Sequence, residues 1–140
     1  MTNQIYPCLW FDNQAKAAAE YYCSIFNNSK IISESSFAIQ FELEGKRIMG
    51  LNGGPMYKIS PSISLFVTCG TVEEIDIYWE KLSEGGVEVQ CGWLKDKYGV
   101  SWQVIPSILG QLMSDPERGT RVMKELMKMK KLDIKTLEGA

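Results

Sequence analysis

Neutral polar side chains occupy alternate positions of two apolar segments of the chain. Ser62 and Ser64 precede Phe66 in one segment, and Ser101 and Gln103 lie in the other. Because successive side chains of a β-strand point to opposite faces, the members of each set share one face. Hydroxyl and amide groups hydrogen-bond without carrying charge. The pattern predicts an apolar cavity with a few neutral polar groups, which is the usual form of a small-molecule site.

Three further residues complete the predicted ligand site. Phe11 faces the same cavity if the first strand keeps the corresponding register, and Asn52 opens a turn that can form the lip of a pocket. Trp93 lies in a polar stretch, where an indole ring either stacks on a ligand or anchors the core. Inward-facing serines also have an alternative, which is to bond neighbouring backbone groups. The predicted ligand-binding residues are Phe11, Asn52, Ser62, Ser64, Trp93, Ser101 and Gln103.

The titratable residues exclude several kinds of catalytic site. The chain has no histidine, which excludes a Ser-His-Asp or Cys-His relay, a His-ligated zinc and a two-His iron triad. Lys95-Asp96-Lys97 is predicted to form a solvated turn or a surface ion pair. The four cysteines contain no C-x-x-C pair, which favours reduced structural thiols, and Cys91 would need a nearby cation to act as a nucleophile.

Composition predicts an ordinary globular domain. The chain has 140 residues, of which 45% are hydrophobic and 23% are charged, and its net charge is -2. This charge offers no attraction to phosphate backbones, so nucleic acid is not an expected partner. Met1 to Gln4 begin no basic leader, and no apolar run approaches the roughly 18 residues of a membrane span. We therefore expect a cytoplasmic protein with no membrane partner.

The same order of elements is predicted in each half of the chain. Each half shows one strand, one helix and three strands, and a shift of 57 residues pairs Leu9 with Phe66 and Tyr22 with Trp79. Thr71 and Glu74 form a capping box at the second helix, in which each satisfies a backbone donor of the other. The predicted strands are 5–11, 30–35, 37–43 and 47–51, then 63–68, 87–90, 92–95 and 100–105.

The tail is predicted to form one helix that starts after Ser114-Asp115, with Pro116 in its first turn. Its apolar stripe includes Met123 and Met127, interleaved with lysines. Such a helix packs on the domain or on a second subunit. The alternative is a basic helix that binds a membrane surface or a calmodulin-type partner.

Four segments of the chain resemble one family: Pro7–Phe11, Leu51–Pro55, Tyr78–Leu82 and Cys91–Pro106. They are similar to the PhnB-like proteins, also labelled 3-demethylubiquinone-9 3-methyltransferase-like, of the glyoxalase/bleomycin-resistance/dioxygenase (vicinal oxygen chelate) superfamily. The segment CGWLKDKYGVSWQVIP is the most specific of the four. The resemblance implies an α+β fold of two β-α-β-β-β modules, about 3–56 and about 60–106, that curl a sheet around a cavity. A helical tail over 107–140 and a homodimer are also expected.

Metal-dependent relatives take their ligands from the first and last strands of each module. The resemblance places these positions here near Ile5, Asn52, Ser62 and Gln103. Because Ile5 has no donor atom and the others carry no charge, we expect no catalytic metal and no other cofactor. The methyltransferase label finds little support in the sequence, which has no G-x-G-x-x-G turn.

The favoured function is the binding or sequestration of a small, partly aromatic molecule in a metal-free cavity. The alternative is an enzyme of the same superfamily, which would be a lyase, isomerase or dioxygenase, or a methyltransferase as the label says. A third possibility is a partner-binding module that uses the Met/Lys helix. Whether the protein turns over a substrate is left open by the sequence.

Overall fold

The computed structural model describes residues 3–140, and the chain divides into two compact units, Met1–Ile59 and Ser60–Ala140. The expectation about a basic leader concerned Met1 to Gln4. Of these residues, Met1 and Thr2 lie outside the described residues. Over residues 3–140, no helix has the length and apolar character needed to cross a membrane.

The first unit is a four-stranded mixed sheet with one helix on one side. Its elements are β1 (Cys8–Phe11), α1 (Ala15–Ile25), β2 (Lys30–Glu34), β3 (Ala38–Leu43) and β4 (Lys46–Asn52). The strand order is β1-β4-β3-β2, in which β1 and β4 are parallel and the other pairs are antiparallel. Parallel neighbours need a long crossover, which α1 begins.

The second unit repeats this sheet and adds a helical tail. Its elements are β5 (Ser64–Cys69), α2 (Val72–Ser83), β6 (Val87–Glu88), β7 (Trp93–Lys95), β8 (Ser101–Pro106), α3 (Leu109–Leu112), α4 (Pro116–Leu126) and α5 (Ile134–Glu138). The strand order is β5-β8-β7-β6, and β5 and β8 are parallel. The two predicted β-α-β-β-β modules are therefore confirmed.

The spacing between the repeats differs between helices and strands. The helices begin at Ala15 and Val72, which are 57 residues apart as predicted. The first strands end at Phe11 and Cys69, which are 58 residues apart. Because side chains alternate along a strand, this one-residue difference places residues 57 apart on opposite faces of the two sheets.

The core of the first unit lies between α1 and its sheet. Side chains alternate along β3, so that Ile39, Phe41 and Leu43 are buried. Phe41 stacks with Tyr22 of α1, their ring centroids being 6.2 Å apart. Phe37 precedes β3 and is 73% exposed.

The start of α2 differs in one bond from a capping box. Thr71 Oγ1 accepts the backbone N–H of Glu74 at 3.1 Å, as predicted. The Glu74 carboxylate accepts the N–H of Gly70 at 3.0 Å instead of that of Thr71. Thr71 thus still satisfies a helix donor that would otherwise lack an intrahelical partner.

The tail contains three short helices, α3, α4 and α5, rather than the single helix predicted. Asp115 caps α4, and its carboxylate accepts the N–H of Glu117 at 3.4 Å, with Pro116 in the first turn. The predicted stripe is divided, because Val122 and Leu126 are buried whereas Met123 and Met127 are exposed. Periodicity locates an apolar face but does not determine how wide a strip of it becomes covered.

Asp96 is buried, which corrects the prediction of a solvated turn. Only 3% of the residue is exposed. Its Oδ1 accepts the N–H groups of Tyr98 and Val100 at 2.8 and 3.0 Å, and its Oδ2 accepts the indole N–H of Trp102 at 2.8 Å. The carboxylate therefore fixes the β7–β8 turn to the strand that follows it.

We expect Asp96→Ala to lower the free energy of unfolding by about 2–4 kcal/mol, because three donors lose a charged acceptor. Asp76→Ala is the control, since Asp76 forms only a half-exposed ion pair with Lys131 at 2.7 Å. That control should cost about 1 kcal/mol or less. Urea denaturation of both variants measures the difference, and equal losses would contradict the structural role of Asp96.

Candidate functional site

One face of the second sheet is covered by α2 and the other is not. Trp79 of α2 donates its indole N–H to Glu88 at 2.7 Å, and Glu88 is in register with Leu94 and Trp102. Residues in register across strands share a face, so α2 covers the side that carries Trp102 and Val104. We call the opposite side the open face.

Three rows of side chains cross the open face. The register of β5, β7 and β8 defines each row. We name them by chemistry: the polar row is Ser64, Ser101 and Lys95, the aromatic row is Phe66, Gln103 and Trp93, and the aliphatic row is Thr68 and Ile105. Neighbouring rows are two residues apart on each strand, which corresponds to about 6.6 Å.

The predicted residues Ser64, Ser101, Gln103 and Trp93 thus share one surface. Gln103 Nε2 donates to Ser64 Oγ at 3.0 Å. Gln103 lies between Phe66, which is 55% exposed, and the half-buried Trp93. An amide between two aromatic rings can hydrogen-bond the edge of a ligand while the rings contact its faces.

Two acceptors on this face are unused by the described chain. Ser101 is only 3% exposed, yet its Oγ makes no hydrogen bond with residues 3–140, and neither does Gln103 Oε1. Every fully buried side-chain N or O atom of the described residues has a partner, so solvent must reach the Ser101 hydroxyl. An almost buried polar group that remains accessible suits a bound molecule, because pairing it recovers its desolvation cost.

Lys95 and Phe66 were absent from the predicted set of site residues. Lys95 is in register with Ser101 and forms no ion pair with another described residue. Strand alternation already placed Phe66 with Ser64. To place Lys95 on the same face, the register between β7 and β8 is needed, and this register depends on the length of the turn between the two strands.

Ser62 lies outside the open face as the register defines it. It precedes β5, is exposed, and its Oγ is 2.7 Å from Ser60 Oγ. A serine pair in an exposed turn satisfies itself locally. The structure therefore does not bring Ser62 into the same rows as Ser64.

Phe11 and Asn52 belong to the packing of the first unit, and Phe11 does not lie on the cavity face that was predicted for it. Phe11 is 3% exposed and in register with Asn52. Asn52 Oδ1 accepts the Ala15 N–H of α1 at 2.9 Å, and its Nδ2 donates to the Ser36 carbonyl at 3.2 Å. Both residues thus lie on the α1 side of their sheet. For Phe11, the difference follows from the extra residue between the first-strand repeats, which reverses the face.

The Gly53-Gly54 turn packs against Trp10 on the side of the first sheet opposite α1. The Trp10 indole donates to the Gly54 carbonyl at 2.8 Å, and its ring meets Tyr57 edge-on at 5.0 Å. A Cβ on Gly53 would lie 2.4 Å from the Trp10 ring. This position therefore needs glycine for close approach, which is a structural role for the turn predicted beside Asn52.

The expected ligand positions of metal-dependent relatives do not fit a metal ion here. Ile5 supplies no donor, both ends of the Asn52 amide are bonded to backbone, and Gln103 and Ser62 carry no charge. Within residues 3–140, no three His, Cys, Asp or Glu side chains are grouped closely enough to hold a metal ion. Hard divalent cations require anionic oxygen ligands to offset dehydration, and these positions have none.

The cysteines have raised pKa values wherever a change is resolved. All four, Cys8, Cys23, Cys69 and Cys91, are free thiols. Burial raises the pKa of Cys8 and Cys23, and burial together with the Glu74 charge raises the pKa of Cys69 to about 11. A raised pKa keeps the thiol protonated near neutral pH and lowers its nucleophilicity.

Grooves also occur on the described surface away from the open face. One of about 580 Å³ lies along α4 and includes Arg121, Lys124 and Met127. Another of about 420 Å³ lies beside Tyr6 and Arg47. Neither contains a predicted ligand-binding residue.

The family model for 3-demethylubiquinone-9 3-methyltransferase matches residues 3–105. The chain belongs to this family. A PhnB protein from Bacillus cereus, which carries the family's name, is 31% identical, with a TM-score of 0.69 over 75% of this chain and 100% of that chain. No curated protein matches the chain. The family resemblance of the sequence is confirmed.

More distant structures share the fold. The fosfomycin resistance protein FosX from Listeria monocytogenes is 18% identical, with a TM-score of 0.57 over 86% of this chain and 98% of that chain. A glyoxalase-related enzyme from Fulvimarina pelagi is 12% identical, with a TM-score of 0.55 over 77% of this chain and 91% of that chain. These similarities show that the chain has the glyoxalase-like α+β fold.

We expect Cys69 to resist iodoacetamide in the folded protein at about pH 8, because only the thiolate reacts and the raised pKa keeps it protonated. Its labelling should increase as the pH approaches 11. Cys8 is the internal control, since it is exposed. Peptide mass spectrometry quantifies both sites, and labelling of Cys69 as fast as Cys8 at pH 8 would refute the assignment.

Proposed function

We propose that this PhnB-like protein binds a small, partly aromatic molecule on the open face of its second unit. The observation that carries the proposal is the pair of unused acceptors, Ser101 Oγ and Gln103 Oε1, beside the rings of Phe66 and Trp93. Rings supply apolar contact area, and the neutral polar groups orient the ligand. Binding is metal-free in this proposal, because the expected ligand positions do not suit an ion.

The family name describes a methyl transfer, and the superfamily contains enzymes. No group on the open face is placed by the described contacts to act as an acid, base or nucleophile: its polar residues are two serines, a threonine, a glutamine and a lysine. Binding or sequestration therefore remains the favoured proposal. The enzyme alternatives stay predictions.

Gln103→Leu should abolish most ligand binding while preserving the sheet, because leucine fills similar volume without an amide. A screen of small aromatic compounds by thermal shift identifies ligands of the natural chain, and NMR titration then locates them by changes at β5, β7 and β8. The loss of one or two hydrogen bonds predicts about 5- to 30-fold weaker binding.

Gln111→Leu is the matched control for this experiment, since Gln111 is exposed on α3. It should leave affinity unchanged. Ligands that perturb other surfaces, or that bind both variants equally well, would show that the open face is not the binding site.

We also propose that the protein is a cytoplasmic homodimer. Four free thiols are typical of a reducing compartment. Exposed Ile77 on α2, on the side of the sheet away from the open face, gives a second copy apolar surface to cover. Sedimentation equilibrium of the full chain should give twice its mass of 15.8 kDa. A single species of monomer mass at micromolar concentration would contradict the dimer.

A further inference from the structure

The tail beyond the family match covers one end of the open face. The family model ends at residue 105, and the tail follows over 107–140. Ile105 lies on the open face in register with Thr68, yet it is only 5% exposed. It is buried in a cluster whose other members all come from the tail: Leu112, Val122, Leu126, Leu132 and Leu137.

Leu132 is the tail residue that meets the aliphatic row. A Cβ built on Gly92 would lie 3.0 Å from Ile105 Cδ1 and 3.1 Å from Leu132 Cγ, so both side chains converge on one point. Leu132 is itself buried. The Leu132 side chain therefore limits the open face at its Ile105 end.

The segment that carries Leu132 is fastened on two sides. Cys91 donates its N–H to the Met129 carbonyl at 2.8 Å, and Gly92 donates its N–H to the Lys130 carbonyl at 2.8 Å. Lys131 Nζ lies 2.7 Å from Asp76 Oδ1 of α2. The three residues before Leu132 are thus bonded to two different elements, and a side chain on a fixed backbone is what a steric limit on a ligand requires.

The rows also form an ordered gradient of chemistry. Lys95, which has no ion pair among the described residues, and two serine hydroxyls stand at one end, aromatic rings lie in the middle, and Ile105 lies at the closed end. The three rows span about 13 Å. A ligand with an anionic head, one aromatic ring and a short alkyl group matches this order.

We propose that the open face selects amphipathic aromatic acids and that Leu132 sets the longest alkyl substituent they can carry. This inference rests on the proposed function and specifies its ligand class. The acid group pairs with Lys95 and Ser101, the ring lies beside Gln103, and the alkyl group points toward Ile105. Leu132 acts here as a specificity-determining residue.

The test is a series of 4-alkylbenzoates, from methyl to octyl, titrated into the full chain by calorimetry. Affinity of the natural chain should rise by about fourfold for each added methylene that is buried, and then fall once the chain reaches Leu132. Leu132→Ala should move the optimum two or three carbons longer and strengthen octyl binding by about tenfold or more.

Leu137→Ala is the matched control, because Leu137 is buried in the same cluster but belongs to α5, which packs on α3 and α4. Ile105→Val is a milder second variant that should also favour a longer chain, in case Leu132→Ala fails to fold by circular dichroism. Both variants keep the polar and aromatic rows intact.

The outcomes separate the two proposals. An unchanged length profile in both Leu132→Ala and Ile105→Val, or an equal change in Leu137→Ala, overturns the role of Leu132 while binding itself stands. Failure of every benzoate to bind, with other aromatic compounds still bound in a Gln103-dependent way, overturns only the ligand class. If Gln103→Leu changes no binding at all, the proposed function fails and this inference fails with it.

Discussion

The parallel pairing of the first and last strand is the constraint on which each unit depends. Two parallel neighbours cannot be joined by a tight turn, so a long connection lies between them, which here consists of a helix and two further strands. That crossover places α1 or α2 on one side of its sheet and leaves the other side uncovered. In the second unit, the six-residue ladder between β5 and β8 aligns Ser64 with Ser101 and Phe66 with Gln103, which creates the open face.

The two units use similar positions for different purposes, and helix capping explains part of the difference. In the first unit, Gln14 at the start of α1 makes no capping bond through its side chain, and Asn52 of the last strand accepts the Ala15 N–H. In the second unit, Thr71 caps α2 from its own side chain. The residue of β8 that corresponds to Asn52 by register is Pro106, which is paired with Cys69 and offers no side-chain acceptor to the helix.

A buried carboxylate and a tightly packed tail hold this surface in place. Asp96 bonds the turn before β8 and the indole of Trp102, so the register that aligns the rows is fixed at one end. The tail buries Ile105 at the other end. The sequence suggested a packed tail helix but not its contact with Ile105, and it predicted a solvated turn at Asp96, because the donors that a lysine-flanked aspartate meets depend on how its turn folds.

The sequence by itself determined the element order, the repeat, the family and the alternation that places Ser101 and Gln103 on one face, because these depend on local periodicity and on motifs contiguous in the chain. Only the tertiary structure decided which face each strand presents to its helix. One extra residue between the first-strand repeats turned Phe11 inward, Asn52 of β4 accepts a bond from α1, and the β7–β8 register places Lys95 on the open face. A shift of one residue leaves the periodic pattern unchanged but reverses every side chain, so pairing across strands has to settle the face.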